Sequence, residues 1–184
     1  MGSTTADGPV DAVAEAAGTL RDRFEREEDE HSNGNERPLG GYAVLLSSYF
    51  ITVVSLGLVV RRRRNLPVRP AAADLALAAV ATHKISRMLS KDTVLATVRM
   101  PFTRFEESCG SGEVNESVRG RGLRHAVGEL LTCPFCLAQW VATGFTFGLI
   151  LAPRATRQVA SIFCAVTASD FLQLAYAAAE KKSE

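Results

Sequence analysis

Charge is missing from two stretches of this 184-residue chain, Gly41–Val60 and Cys133–Ala152. It is nearly missing from a third, Gln158–Ala179, where Asp170 is the sole Asp, Glu, Lys or Arg. Each stretch reaches the roughly 20 apolar residues that a bilayer crossing requires. Backbone polar groups in lipid must pair within their own segment, so each is expected to be a helix. A soluble fold is excluded on size, because a chain this short cannot enclose three uncharged helices of that length.

Other absences narrow the class further. The sequence has no Gly-rich phosphate loop, no recognition-helix pattern and no aromatic RNA-binding signature, so no nucleic-acid partner is expected. Of the four cysteines, two form a single CxxC, Cys133–Cys136, and without a second pair the zinc-module signal is weak. No Ser-His-Asp or Cys-His-Asn set can be placed, which leaves nucleophilic catalysis the weakest reading. The start of the chain lacks a signal-peptide pattern: residues 1–40 are mostly polar, and Arg61–Arg64 follow the first apolar run where a cleavable signal would have small residues.

The charge that is present is unevenly spread. Residues 1–40 hold ten Asp/Glu against four Arg, a net of −6, so residues 41–184 must carry +7 to give the overall +1. This separates an acidic, largely disordered tail (1–40) from a first transmembrane helix (41–60) and a membrane domain (71–182) with a basic juxtamembrane segment (83–129). In the tail, Val10, Val13, Ala17, Leu20 and Phe24 recur at steps of three and four, enough for a short amphipathic helix. Glu25–Glu36 reads as a solvated linker.

A fourth apolar stretch, Ala71–Leu89, is Ala-rich but contains Asp74, His83 and Lys84. A charge near the centre of a spanning helix costs roughly 2.5–3.5 kcal/mol unless it faces protein. The stretch therefore either lies in the interface or crosses within a bundle that shelters those groups, and the second is preferred. The fold class expected is all-α: an integral membrane helical bundle of three to four helices with an interfacial amphipathic segment. Positive charge favours the cytoplasm. The eight Lys/Arg from Lys84 to Arg124 place segment 83–129 there, although Arg61–Arg64 and Arg69 pull the other way. Cys109–Gly122, with four glycines, is expected to be a mobile loop. Arg119, Arg121 and Arg124 around its last two glycines suggest a basic loop beside anionic lipid, or a phosphate nest.

Candidate chemistry gathers at the mouth of the second apolar run. At 100° per residue, His125, Glu129, Cys133, Cys136 and Trp140 share one stripe if a single helix runs on from Leu123. Pro134 offers an alternative, a new helix with Cys133 at its cap and proline at the first position. Glu129, as the charged member, needs a cation, and Arg99, Arg119 and Arg124 are the candidates. Asp170 needs a partner too, from Arg87, Arg124 or His83. The cysteine pair reads as packing, as a redox dithiol, or as part of a zinc site with His125.

Asp92, Arg99-x-Pro101-Phe102, Gly122-Leu123-Arg124, Gly128-Glu129-Leu130-Leu131 and Cys133-x-x-Cys136-x-x-x-Trp140 together resemble an uncharacterised bacterial membrane-protein family. That family is a domain of unknown function that includes a small sporulation-associated protein, and the resemblance runs from about residue 71 to 179. It implies a small multi-helix protein of the bacterial inner membrane without an established activity or cofactor, so no catalytic residue carries over. The reading is thus a multi-pass protein of the cell membrane, leaning away from an enzyme. Its candidate polar site comprises Arg87, Asp92, Arg99, Arg124, Glu129, Cys133, Cys136, Trp140 and Asp170. The partners expected are anionic phospholipid and a membrane or cytoplasmic protein. The alternative is a membrane thiol-redox or metal-dependent enzyme using Cys133 and Cys136.

Overall fold

The computed structural model describes residues 9–32, 37–63 and 69–183. It divides into two units, Met1–Leu39 and Gly40–Glu184. The first holds α1 (Pro9–Ser32). On its apolar stripe Val10, Val13 and Leu20 are all exposed. The helix continues through most of the segment expected to be linker, because Glu and Arg are good helix formers. Arg26 Nε also reaches back to the Asp22 carbonyl at 3.1 Å. Residues 33–36 of that linker, and Arg64 of the arginine run, lie outside the described residues.

In the second unit, α2 (Leu39–Arg62), α6 (Pro134–Leu151) and α7 (Pro153–Ser183) are the helices long and apolar enough to cross a membrane. Hydroxyls in them turn back on their own helix: Thr52 donates to the Ser48 carbonyl at 2.8 Å, Thr143 to Gln139 at 2.8 Å and Thr167 to Phe163 at 2.8 Å. Such internal pairing is what an apolar surrounding demands of a polar side chain. A single residue, Ala152, separates α6 from α7. The two stay close because Gly148 leaves room for Thr156, whose Oγ1 would lie 2.7 Å from any added Cβ.

The uncertain stretch 71–89 is a full helix, α3 (Ala72–Lys91), which packs along both α6 and α7. Ala78 and Ala81 join Phe145, Leu149 and Ala160 in the buried cluster, with Leu77, Ile85, Val141 and Phe163 around it. Its polar residues explain its low hydropathy, and they are sorted by face. Asp74, Leu77, Ala81 and Lys84, at steps of three and four, look toward α7. There Arg157 grips Asp74 through two bonds of 2.7 Å, Cys164 Sγ donates to the Leu77 carbonyl at 3.4 Å, and Lys84 Nζ reaches Asp170 at 2.6 Å. A charged group within a bundle is tolerated when it meets its opposite there.

The fold is not all-α. After α3 and the short α4 (Ala96–Arg99), the chain forms an antiparallel hairpin, β1 (Thr103–Gly110) with β2 (Glu113–Val118), then α5 (Leu123–Thr132). The segment expected to be a mobile glycine loop is therefore mostly hairpin, through Val118. Its turn residues Ser111 and Gly112 have φ of 51° and 76°, the left-handed values of a tight two-residue turn that matches strand twist. The register runs Thr103↔Val118 to Gly110↔Glu113 with two irregularities. Gly128 fixes how closely α5 approaches the base of the hairpin: a Cβ there would sit 3.0 Å from the Phe102 carbonyl oxygen.

Candidate functional site

The expected site splits into three places, and the partners that divide it are mostly acids that spacing did not reveal. The first is the headpiece, α4 and the hairpin with the link from β2 into the first turn of α5. Arg99 is fully buried. Its guanidinium donates to the Leu89 carbonyl at 2.8 Å, to the Asp92 carbonyl at 2.9 Å and to the Glu116 carboxylate. The Glu116 side chain is itself enclosed, and Thr103 donates to the Arg99 carbonyl at 3.0 Å. Arg99 thus ties the end of α3 to both strands. Asp92 meets no cation among the described residues; its Oδ1 accepts from the Val94 amide at 2.8 Å and the Leu95 amide at 3.2 Å, capping the turn into α4. Arg87 meets Glu113 through a fork of 2.7 and 2.8 Å in a more exposed setting.

The second place is where α2 crosses α5 and α6. The single-helix stripe does not form, because α5 ends at Thr132 and α6 begins at Pro134. Cys133 lies between them in an extended conformation (φ −100°, ψ 105°). Proline lacks an N–H and clashes with a preceding helical turn, so it starts a helix more readily than it continues one. Cys133 Sγ accepts the Cys136 amide at 3.2 Å and so caps α6, while the Cys136 side chain is exposed. Glu129 has none of the expected arginines. It takes a short hydrogen bond from the Tyr42 hydroxyl and lies 3.5 Å from His125 Nε2, one turn back on α5. Trp140 packs edge-on against Tyr49, ring centroids 5.2 Å apart, and Tyr49 also shares a 3.0 Å hydrogen bond with Thr143. Gly41 lets this crossing close, since a Cβ there would fall 2.7 Å from the Ala126 Cβ.

The third place is the α3–α7 contact. Asp170 pairs with Lys84, not with Arg87, Arg124 or His83. The reason is angular: Lys84 falls on the face of α3 that Asp74 and Leu77 present to α7, and residues 83, 86 and 87 do not. Arg124 is elsewhere again, donating through Nε to the Pro101 carbonyl at 2.9 Å. Arg119 Nη2 donates to the neighbouring Met100 carbonyl at 2.8 Å. Among the described residues, no group of three or more His, Cys, Asp and Glu comes together as metal ligands would. His125 Nδ1 is engaged with the Gly120 carbonyl at 3.1 Å.

Sequence reasoning missed Glu113, Glu116 and Tyr42, and did not pair Asp74 with Arg157. The two glutamates stand at i and i+3 in a strand, where no helical spacing rule applies. Tyr42 and Glu129 are 87 residues apart, and nothing local in either segment announces the other.

A model of the family described as "Protein of unknown function (DUF1360)" matches residues 77–176, from the middle of α3 to near the end of α7. A sporulation protein of Bacillus subtilis (strain 168), YjcA, is 34% identical over 89 residues, covering 47% of this chain and 72% of that protein. No solved structure matches. The chain belongs to the DUF1360 family, whose matched region includes the headpiece, α5 and the α3–α6–α7 bundle.

Proposed function

We propose that this protein is a non-catalytic membrane protein whose headpiece holds anionic phospholipid headgroups at one face of the bilayer. One observation carries the reading: Arg119 and Arg124 converge on the Met100–Pro101 carbonyls, and neither meets a carboxylate among the described residues. Arg99 is enclosed with Glu116 and Arg87 shares Glu113, whereas Arg119 and Arg124 have only backbone carbonyls there. Val98, Met100 and Leu123, all exposed, stand in the same segments. Basic groups beside apolar ones suit a segment that lies in the headgroup region, where each Lys or Arg near the surface contributes about 1 kcal/mol toward an anionic membrane.

The test is reconstitution of the full chain into nanodiscs of phosphatidylcholine alone or of equal parts phosphatidylglycerol and phosphatidylcholine. Phosphatidylglycerol should raise the melting temperature, and Arg119→Gln with Arg124→Gln should abolish most of that rise. An undiminished rise in the double variant rejects the headpiece as the contact. A thiol role is the second reading, supported by Cys133 Sγ sitting on the Cys136 amide at the start of α6. It requires Cys133 to be alkylated far faster than the exposed Cys109.

A further inference from the structure

A groove of about 480 Å³ runs between α3 and α6. On α3 it is lined by Leu75, Ala79, Thr82 and Ser86, at helical steps of three and four, and on α6 by Ala138 and Ala142. The volume is that of a small-molecule site, and the lining is mostly apolar with a few polar groups, as such sites are. The polar groups are not scattered. His83, Ser86 and Arg87 lie at the headpiece end, while Leu75 and Thr146 mark the other, where the Thr146 hydroxyl is spent on the Ala142 carbonyl at 2.8 Å.

Thr82 is the exception among the hydroxyls here. It is only 8% exposed, and its Oγ1 has no hydrogen-bond partner among the described residues. Its neighbours on α3 turn back on the backbone: Ser86 donates to the His83 carbonyl and Ser90 to the Arg87 carbonyl, both at 3.1 Å. Leaving a buried hydroxyl unmet costs free energy, so a donor that lines a groove in this state points to an acceptor carried by whatever fills it.

Length and polarity select the occupant. From Leu75 to Ser86 the helix rises about 16 Å, close to half of a hydrocarbon core about 30 Å thick. The groove is therefore about one leaflet deep, polar at the interface and apolar below. A partner helix about 10 Å across would need roughly 1,200 Å³ over the same length, more than twice what is there. We propose that the groove holds one acyl chain of a membrane phospholipid, with its ester carbonyl at the Thr82 hydroxyl and its phosphate at Arg87. The ester carbonyl of a glycerophospholipid lies below its phosphate and accepts without donating, and Thr82 lies roughly one turn below Ser86. Arg87 spends Nε and Nη2 on Glu113, and its Nη1 has no partner among the described residues. The inference does not depend on Arg119 and Arg124, which belong to a different surface.

Native mass spectrometry of the full chain, purified from membranes in a mild detergent, tests this directly. One phospholipid per chain should be retained. Ala142→Phe, which fills the groove from an exposed position, should remove it with helical circular dichroism unchanged. Thr82→Val should weaken retention roughly two- to tenfold, the worth of one hydrogen bond. The same variant should raise the melting temperature of delipidated protein, because it removes an unmet hydroxyl. Should Ala142→Phe fail to fold, Ala79→Phe takes its place. Arg119→Gln with Arg124→Gln should leave the bound lipid in place, so the groove and the headpiece fail separately. The proposal is overturned if wild-type protein retains no lipid, or if the groove variants retain as much as wild type. It is equally overturned if filling the groove splits a dimer, which would make the occupant a second copy of the chain.

Discussion

Arg99 has no exposed surface, and a guanidinium in that position is stable only if every face finds an acceptor. Glu116 and the carbonyls of Leu89 and Asp92 supply them. Removing one partner of such a pair leaves a buried charge unmet, at a cost on the order of 3–5 kcal/mol. Arg99→Ala and Glu116→Ala should each lower the melting temperature of detergent-purified protein and open the 93–120 segment to limited proteolysis. Arg99→Lys should not rescue either property, because a lysine cannot reach three acceptors in the fixed directions of a guanidinium. Arg87→Gln is the contrast: its partner Glu113 is met in a half-exposed setting, where an ion pair is worth about 0–1 kcal/mol. A headpiece equally resistant in wild type and Arg99→Ala would show that the arginine is not the tie. At this scale the sequence singled out charged residues but not the partners they meet. Arg99, Asp92 and Asp170 stood out as charges close to apolar runs, a signal of cost that is visible in one dimension. Which acid meets which base depends on strand register and helix face, and neither can be read until the elements are placed.

Elements were legible in proportion to how apolar they are. α2, α6 and most of α7 follow from the absence of charge alone, and Pro134 marked the α5–α6 boundary as one of two open alternatives. The hairpin was hidden because its strands are short, charged and exposed on most positions of β1, so the alternation that betrays a half-buried strand is faint. Its glycines looked like flexibility where they serve a tight turn. The break at Cys133 also changes what the polar groups on α5 do. Glu129 serves as an anchor for α2 through Tyr42, and Cys133 serves as a helix cap. Serine caps a helix start at least as well as a thiol, so Cys133→Ser should alter stability by less than about 0.5 kcal/mol, and the exposed Cys136 should tolerate serine too. Glu129→Ala removes a hydrogen bond to a charged group that is part-exposed, a loss of roughly 1–2 kcal/mol. Thermal melts of the three variants in one detergent should therefore rank Glu129→Ala lowest. The reverse order, with both serine variants unstable and Glu129→Ala like wild type, would return the weight to the thiols.

In the whole second unit, the four long helices alternate in direction. Gly41 and Tyr42 at the start of α2 meet α5, and Tyr49 meets Thr143 further along α6, so α2 and α6 run the same way. α3 runs against α6, with Arg87 near Pro134 and Leu75 near Thr146 along the groove. α7 runs with α3, Asp74 meeting Arg157 and Lys84 meeting Asp170. Two basic clusters thus fall at opposite ends. Arg61, Arg62 and Arg63 share one end with Arg154 and Arg157, and the headpiece takes the other with Lys181 and Lys182. Both clusters pull toward the cytoplasm, and if α3 crosses with the other three helices only one of them can face it. The headpiece end holds more Lys and Arg, and the count of such residues close to the membrane sets orientation more than the acids among them do. The headpiece is therefore expected to face the cytoplasm. A cysteine introduced at Ser111 on the hairpin turn, with Cys109 replaced by serine, should resist a membrane-impermeant maleimide in intact cells and react after lysis. A cysteine at Arg154, at the opposite end, should react in intact cells. Labelling of both positions from outside would mean that α6 does not cross, and labelling of Ser111→Cys alone would invert the protein.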